Sequence, residues 1–372
     1  MKIGIDGRLI NESGIGRYIR NLLENLALID KRNYYYILLK KRDLSRFDFG
    51  KNFKNIEADY PWYSVSEQVK MPRLINSLKL DLIHFPHFNV PVFYKDKFIV
   101  TIHDLIHQHY TMNRATTLDP LTYKIKQFGY RKVFNFAVKK SATILVPSEF
   151  VKGQLEKEWQ VDPGKIVVTP EGVDPNLLNM KNKYSSNVKL KVVEKIGINK
   201  PYVFYVGNAH PHKNVEGLIK AFGLIRKKYP KLKLVLSGAD HYFWNRIKLE
   251  YQDPEIIYTG FVTDEVLAAL FANAELFVMP SFEEGFGIPI LESFANGCPV
   301  VCSDIGSLKE IGSDACIYFN PNNIDDIAEK ISLALGNEKL RKTLIDKGTN
   351  RVGLFSWKKL TQQTLNTYQD IT

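Results

Sequence analysis

Cysteine is scarce in this sequence, with three residues in 372, at Cys298, Cys302 and Cys316. An odd number clustered in one C-terminal stretch is not the pattern of a disulfide-stapled secreted domain, so it favours a reducing compartment. Long apolar runs are also missing, because no segment approaches the roughly 18 residues that a membrane-spanning helix needs. Asp6 and Arg8 stand where a secretion signal needs an apolar core, so we expect a cytoplasmic protein.

The rest of the composition is that of an ordinary folded chain. With 45% hydrophobic and 24% charged residues, it is too apolar for a disordered protein and long enough for two domains. The net charge is 51 − 40 = +11, and residues 1–172 carry 27 Lys and Arg against 18 Asp and Glu, whereas residues 173–372 carry 24 against 22. Such a basic first half suits nucleic acid, an anionic membrane surface or a phosphorylated substrate, or it is simply a solvated basic surface.

Short apolar segments alternate with helical patterns through both halves of the chain. The first half predicts strands at 2–6, 35–39, 82–85, 98–102 and 143–146. The second half predicts strands at 202–206, 233–237, 256–258, 276–279 and 299–302. Apolar strands without polar alternation are typical of a parallel sheet covered on both faces. We predict an α/β protein of two doubly wound, Rossmann-like domains that face each other across a ligand cleft at the carboxyl ends of their strands.

The most informative segment is 282–292, which contains two glycines between a pair of separated glutamates. The glycines permit a tight turn in which backbone N–H groups approach a ligand, and Pro289 suits the first turn of a following helix. A phosphate or a sugar hydroxyl can therefore sit at this helix start, with Glu284 and Glu292 accepting from two sets of hydroxyls. The alternative is that Glu284 complements the helix dipole and Glu292 is an ordinary surface residue.

Two turns that follow predicted strands are candidate phosphate sites. Lys213 lies in the segment 207–214, where its charge beside the N–H groups of a helix start suits a phosphate, although an ordinary exposed lysine is the alternative. The loop at 13–17 contains Gly14 and Gly16 but lacks the third glycine of the dinucleotide fingerprint. It indicates either close approach to a phosphate or a plain tight turn.

Histidines stand near the ends of two predicted strands. His103 ends one of them, where it can donate a hydrogen bond to a sugar or take part in proton transfer. His107 and His109 lie close by in the sequence, but no fourth zinc ligand stands at a familiar spacing. His84 and His87 stand at another strand end, and a structural role in the loop is favoured for them.

Taken in order along nearly the whole chain, these segments resemble the retaining nucleotide-sugar glycosyltransferases of family 4, which have the GT-B fold. Glu284 and Glu292, with seven residues between them, are similar to that family's signature. The other matching segments are 13–17, 101–104, 146–148, 170–173, 207–214 and 258–262. The resemblance implies an acceptor-binding domain at 1–180, a linker at 181–200, a nucleotide-sugar-binding domain at 201–354 and a final helix at 355–372 that crosses back onto the first domain.

The resemblance also implies roles for individual residues. Lys213 and Gly16 would contact the donor diphosphate, and His103 would contact the sugar near its reacting carbon. Glu284 would bind hydroxyls of the transferred sugar, so that His103, Lys213 and Glu284 form the catalytic set. The remaining donor-binding positions are Gly260, Phe261 and Val262 at the base, and Phe286, Gly287, Ile288 and Glu292 along the glutamate segment, where Glu292 would hold the ribose.

One departure from the family concerns the diphosphate. Many members pair the lysine with an arginine shortly before it, whereas Asn208 and His212 stand nearby in this sequence. Neutralising the phosphates would then depend on Lys213, on helix dipoles, and on His212 or Arg17.

The resemblance extends to bacterial polysaccharide mannosyltransferases, such as those of lipopolysaccharide synthesis. It implies a retaining transferase that moves mannose from GDP-mannose to a glycan or lipid-linked glycan acceptor, with no cofactor and no metal, and no Asp-x-Asp metal motif is present. A UDP-sugar donor, a nucleotide-sugar epimerase and a catalytically silent binding subunit remain open as alternatives. Charge alone suggests nucleic acid, which we do not expect as a partner.

The predicted helix at 121–140 combines basic and aromatic residues. Such a surface would dock on anionic lipid, which would place the protein peripherally on the inner face of the cell membrane. The alternative is a buried aromatic stripe beneath a solvated basic face.

Overall fold

A computed structural model describes residues 1–12, 14–109, 120–178 and 185–371. The chain forms two compact units, of which the first comprises Met1–Glu171 and Ser356–Thr372 and the second comprises Gly172–Phe355. Each unit is built on one sheet of parallel strands with helices between them. The predicted α/β class with two Rossmann-like sheets is therefore confirmed.

The first unit contains a seven-stranded sheet in the order β3-β2-β1-β4-β5-β6-β7. Its strands are β1 (Lys2–Asp6), β2 (Tyr34–Leu39), β3 (Phe53–Glu57), β4 (Leu82–Phe85), β5 (Phe98–Thr101), β6 (Thr143–Val146) and β7 (Ile166–Val168). β4, β5 and β6 are buried along their whole length. Apart from His84 in β4, Thr101 in β5 and Thr143 in β6, their residues are apolar, as expected when helices cover both faces of the sheet.

Helices flank this sheet in sequence and cover it. They are α1 (Gly14–Ile29), α2 (Val65–Ser77), α3 (Ile106–His109), α4 (Pro120–Lys140) and α5 (Glu149–Trp159). α1 buries Tyr18, Leu22 and Leu26, which recur at the spacing of one helix face. Ser64 and Ser148 begin α2 and α5, since each hydroxyl accepts a backbone N–H of the first turn.

The second unit contains a six-stranded sheet in the order β10-β9-β8-β11-β12-β13. Its strands are β8 (Tyr202–Val206), β9 (Lys233–Ser237), β10 (Ile256–Gly260), β11 (Leu276–Met279), β12 (Val300–Ser303) and β13 (Cys316–Phe319). Its helices are α6 (Ser186–Lys195), α7 (Val215–Ile225), α8 (Tyr242–Glu250), α9 (Asp264–Asn273), α10 (Ile288–Ala295), α11 (Gly306–Gly312), α12 (Ile324–Leu335) and α13 (Glu338–Val352). The three cysteines are free thiols buried in this unit.

The last helix, α14 (Trp357–Asp370), belongs to the first unit although the second unit precedes it in the sequence. It packs against α1 and buries Trp357, Leu360 and Tyr368. The Trp357 ring meets the ring of Tyr18 edge to face, with centroids 6.1 Å apart. The first unit is therefore closed by the end of the chain.

The unit boundary differs from the expected one. The first unit ends at Glu171 rather than at 180, and α6 occupies part of the stretch at 181–200 that the sequence predicted as a linker. Val193 and Ile198 from this stretch are fully buried in the core of the second unit. The sequence predicted a linker because the many Lys and Asn residues of this segment outweigh its few apolar positions. Residues 179–184 lie outside the described part of the chain.

Candidate active site

The strand order of the second unit reverses between β8 and β11. β8 pairs with β9 on one side and with β11 on the other. From β8 the sheet continues through β9 to β10 on one side, whereas from β11 it continues through β12 to β13 on the other. Ligands of open parallel sheets bind in the crevice that such a reversal opens at the carboxyl ends of the strands. The loops that leave these two strands carry Lys213 and Glu284, which are 71 positions apart in sequence.

Lys213 and Glu284 form an ion pair. The Lys213 Nζ donates to both carboxylate oxygens of Glu284, at 2.7 and 2.8 Å, and the Ser281 hydroxyl donates to Oε1 at 2.6 Å. The side chains are 17% and 9% exposed, so the pair is better shielded from water than a surface ion pair. Glu284 thus compensates the charge of Lys213, and an incoming phosphate would have to replace this carboxylate at Nζ.

The backbone around Lys213 is fixed by the next residue. A 3-10 turn at Pro211–Lys213 ends at Asn214, whose φ of 53° is in the left-handed region that asparagine tolerates better than most residues. The Asn214 amide donates to the carbonyl oxygens of Pro280 at 3.1 Å and Pro321 at 2.9 Å. The loop that carries Lys213 is therefore tied to the start of the loop that carries Glu284.

The glutamate segment turns into α10 at Gly287. Its φ of 111° suits glycine, and a Cβ there would lie 2.8 Å from the Leu308 side chain. Ile288 begins α10 with a proline in the first turn, as the sequence predicted. Glu292 lies inside α10 and is only 2% exposed, so the alternative of an ordinary surface residue is wrong for it.

Phe286 completes this segment from the core side. It is 4% exposed, and its ring packs edge to face on Phe355 with centroids 5.8 Å apart. The side chain of Phe286 therefore packs in the core, and only its backbone N–H is left for the predicted contact with the donor sugar. That assignment, like the roles of Gly287 and Ile288, stays a prediction.

The predicted base-binding residues follow β10. Gly260 has a φ of 69°, and its carbonyl oxygen accepts from the backbone N–H of Gly238 at 3.1 Å. Val262 packs against the core, whereas Phe261 is 80% exposed. An exposed aromatic ring beside a glycine turn is chemically suited to stacking on a flat ring, and the contact of residues 260–262 with a base stays a prediction.

Gly16 of the first unit is buried near the start of α1. A Cβ there would lie 2.6 Å from the Ile10 carbonyl oxygen and 3.0 Å from that of Leu9, so the glycine lets the preceding loop pack against the helix. Packing therefore accounts for a glycine at position 16. The contact of Gly16 with a diphosphate stays a prediction. Ser13, which opens the predicted glycine loop, lies outside the described residues.

His103 follows β5 and has both ring nitrogens near acceptors. Nε2 lies 2.9 Å from the Pro86 carbonyl oxygen, and Nδ1 lies 3.3 Å from Oε1 of Glu171. The Tyr18 ring packs nearly perpendicular to the imidazole, with centroids 4.8 Å apart. Burial is the largest influence on the pKa of His103 and lowers it, but Glu171, the Pro86 carbonyl and Asp104 together outweigh burial, so the pKa is raised.

The other histidines of this region have structural partners. His84 bonds to the Tyr368 hydroxyl at 2.7 Å and to the Thr101 hydroxyl at 2.8 Å, and burial lowers its pKa to about 3. His109 pairs with Glu158 at 2.7 Å. Within the described ranges, no group of three His, Cys, Asp or Glu side chains could hold a metal ion.

α4 spans the basic and aromatic segment of the first unit. Phe134 is 1% exposed and packs on Phe88, with centroids 5.6 Å apart, and Tyr130 packs on the same ring at 4.7 Å. Phe128 is 61% exposed, and the Lys132 ammonium lies 4.7 Å from its centroid. Part of the aromatic stripe is therefore core, as the alternative expected. In the described part of the chain, no helix has the length and apolarity to cross a bilayer.

Sequence reasoning missed three polar residues of these sites, namely Asn214, Ser281 and Glu171. Asn214 gave a usable signal, because asparagine before a helical pattern favours a cap with a left-handed backbone. Glu171 stands in a motif that matched the family, but its partner lies 68 positions away and cannot be read from local sequence.

A parallel sheet whose candidate residues stand at a reversal of strand order defines the doubly wound α/β class, in which ligands bind at that position. Two family models then match the chain, described as "Glycosyltransferase Family 4" over residues 13–177 and "Glycosyl transferases group 1" over residues 188–351. The chain belongs to the glycosyltransferases of GT-B fold and is similar to bacterial mannosyltransferases.

Individual relatives agree with this family. The chain is 28% identical over 381 residues to O-antigen chain mannosyltransferase B of Escherichia coli, covering 96% of each protein. It is 28% identical over 265 residues to O-antigen chain mannosyltransferase RfbU of Salmonella typhimurium, covering 70% of this chain and 67% of that protein. The solved sucrose-phosphate synthase of Thermosynechococcus elongatus has the same fold, with a TM-score of 0.77, 19% identity, and coverage of 100% of this chain and 98% of that one.

Proposed function

We propose that this glycosyltransferase is a retaining, metal-independent enzyme that transfers mannose from GDP-mannose to a glycan or lipid-linked glycan in bacterial surface-polysaccharide synthesis. The names of the two O-antigen mannosyltransferases support the sugar and the kind of product. The observation that carries the proposal is the Lys213–Glu284 pair at the strand-order reversal of the second unit. It brings a cation for phosphate and a carboxylate for sugar hydroxyls to one place.

In this proposal, donor binding exchanges the partners of the ion pair. A phosphate oxygen replaces Glu284 at the Lys213 Nζ, and the released carboxylate accepts from hydroxyls of the sugar. As the bond from the anomeric carbon to the phosphate oxygen breaks, positive charge develops on the sugar and negative charge on the departing diphosphate. Lys213 stabilises the departing charge, and one oriented group of this kind contributes about 3 kcal/mol, or roughly a hundredfold in rate.

The finer features of the reaction rest on the family resemblance. The departing phosphate would assist attack of the acceptor on the same face of the sugar, so that the donor's configuration is kept without a protein nucleophile. Metal independence is proposed because the sequence has no Asp-x-Asp motif. The excess of Lys and Arg in residues 1–172 supports peripheral association with an anionic membrane on its inner face.

The nucleotide is tested first, by calorimetric titration with GDP and with UDP at moderate salt. Binding of GDP alone supports GDP-mannose, whereas binding of UDP alone contradicts it and points to a UDP-sugar. Binding of neither contradicts an active donor site and brings forward the silent-subunit alternative. A transfer assay with GDP-mannose and a mannose-containing glycan then tests the reaction itself.

Two variants separate the roles of the ion pair. Lys213→Ala is expected to weaken GDP binding at least about tenfold, because the diphosphate loses its cation. Glu284→Gln is expected to leave GDP binding unchanged or tighter, since Lys213 loses a competing carboxylate, but to lower mannose transfer about a hundredfold. Lys347→Ala is the matched control, because it removes a lysine paired with Asp314 on the surface of the same unit. Unaltered GDP binding in Lys213→Ala would contradict the assignment.

A further inference from the structure

The imidazole of His103 meets two acceptors at once. A backbone carbonyl and an ionised carboxylate can only accept hydrogen bonds. Nε2 faces the carbonyl of Pro86 at 2.9 Å, and Nδ1 faces Glu171 at 3.3 Å. A neutral imidazole has one N–H and satisfies one of these partners, whereas an imidazolium has two and satisfies both. The geometry is therefore that of a doubly protonated ring.

The alternative way to satisfy both nitrogens is a proton on Glu171 with a neutral ring. The charges around the ring oppose this alternative. Asp104 adds a second negative charge beside His103, and with Glu171 it raises the pKa of the ring against the lowering by burial.

The remaining titratable groups around the ring are uncharged at pH 7, so they do not repel a positive charge on it. His84 and His87 are neutral at pH 7, since burial lowers both pKa values to about 3. Tyr18 is uncharged because burial raises the pKa of its hydroxyl, which lies 3.1 Å from the Thr101 hydroxyl. The aromatic ring of Tyr18 lies 4.8 Å from the imidazole and nearly perpendicular to it, so it adds no charge beside the ring.

We infer that Glu171 is a positioning residue that holds His103 as an imidazolium, with a fixed positive charge at the carboxyl end of β5. The charge state itself needs no assumption about the reaction, but its use rests on the proposed function. During sugar transfer, the charged ring favours the negative charge that leaves with the diphosphate. The ring keeps both protons throughout.

The charge state can be measured on the unaltered protein without a ligand. An NMR titration reads the pKa of the His103 imidazole, and the signal is assigned by its loss in His103→Asn. We expect a pKa above 6.5. Glu171→Gln, which keeps the size but removes the charge, should lower it by about one to three pH units. Glu158→Gln is the matched control, because it removes a carboxylate from the His109 pair on the surface of the same unit, and it should leave His103 unchanged.

Two results would overturn the inference. One is a His103 pKa at or below 6.5 in the unaltered protein, and the other is a pKa that Glu171→Gln does not change. If Glu171→Gln does not fold, the titration of the unaltered protein still decides the charge state.

Kinetics separate positioning from a merely structural role. Glu171→Gln should lower kcat about tenfold at pH 6.5, where the raised pKa keeps the ring of the unaltered protein mostly charged, with KM changed less than about twofold. The loss should shrink as the pH falls further, because solvent protons then restore the charge on the ring. A structural glutamate would instead lower activity equally at every pH. A charged His103 in a protein that transfers no sugar would contradict the proposed function while leaving the charge assignment in place.

Discussion

In each unit, a candidate functional residue is held by a partner from a distant part of the sequence. Glu284 holds Lys213, and Glu171 holds His103, across 71 and 68 positions. The sequence predicted Lys213, Glu284 and His103 as separate contacts to a ligand, because residue type and motif are local information. Their pairing depends on the order of strands in each sheet, which brings distant loops to the same edge.

Two histidines of the first unit respond to pH in opposite directions. The pKa of His84 is lowered from 6.5 to about 3, so folding favours its neutral form. Its contribution to stability is complete above pH 6.5 and is lost as the pH falls towards 3. The pKa of His103 is raised, so its contribution is complete below pH 6.5 and is lost as the pH rises through the raised value. A buried histidine is thus neutral or charged according to whether a carboxylate faces it.

The Lys213–Glu284 pair should show strong coupling in stability. Lys213→Met leaves a nearly buried carboxylate without its cation and should lower the free energy of unfolding by about 2 kcal/mol. Glu284→Gln should cost less, about 1 kcal/mol, because the more exposed Lys213 reaches water. The double variant should cost clearly less than the sum, since neither charge is left behind. Urea unfolding of the four proteins measures this, and additive costs would contradict the coupling. Transfer activity should stay low in the double variant.

At the scale of elements, the start of α7 positions the candidate site. Asn214 combines a left-handed backbone with two amide hydrogen bonds to the carbonyls of Pro280 and Pro321. Asn214→Gly keeps the backbone but loses both bonds, which should cost about 1–3 kcal/mol. Asn214→Ala should cost about 1 kcal/mol more, because alanine resists a positive φ. Thermal unfolding measures both costs, and GDP titration should show weaker binding as Lys213 loses its fixed position.

A matched control exists on α13. Asn337 caps that helix by accepting from the Leu340 N–H at 2.9 Å, and Asn337→Gly should cost only a few tenths of a kcal/mol, roughly the usual cost of glycine at such a cap. If Asn214→Gly were as stable as Asn337→Gly, the two amide hydrogen bonds of Asn214 would not stabilise the protein, and the prediction would be wrong.

A strand is easiest to predict from its sequence when it is buried along its whole length. β4 and β6 are buried along their whole length, and their bounds match the prediction. β3 was missed because it is an edge strand with Lys54 and Asn55 in its middle, and it is only partly buried. β7 was missed because it has three residues, and β13 was missed because it is a half-buried edge strand. Where one face of a strand is open to water, an apolar run no longer marks the strand, so its position cannot be predicted from such a run.

At the scale of the whole chain, the family resemblance added what periodicity could not. Repeated apolar strands predicted two parallel sheets, but the Glu284 and Glu292 spacing and the order of the other motifs identified the glycosyltransferase family. Unit boundaries were harder, because Gly172 to Lys200 looks polar and yet buries Val193 and Ile198. A few apolar residues at the right positions decide where a segment packs, and the overall composition of the segment does not show them.

The return of the last helix to the first unit gives a prediction about the whole chain. Leu360 is fully buried where α14 packs on α1, so Leu360→Ala should lower the stability of the first unit by about 2–5 kcal/mol. Hydrogen exchange should accelerate in α1 and α14, while α7 of the second unit keeps its protection, because the cavity lies in one core only. Lys358→Ala, an exposed change on the same helix, is the control and should leave both units unaltered. Equal loss of protection in α1 and α7 would contradict this, and would mean that the two units unfold as a single cooperative body although their cores are separate.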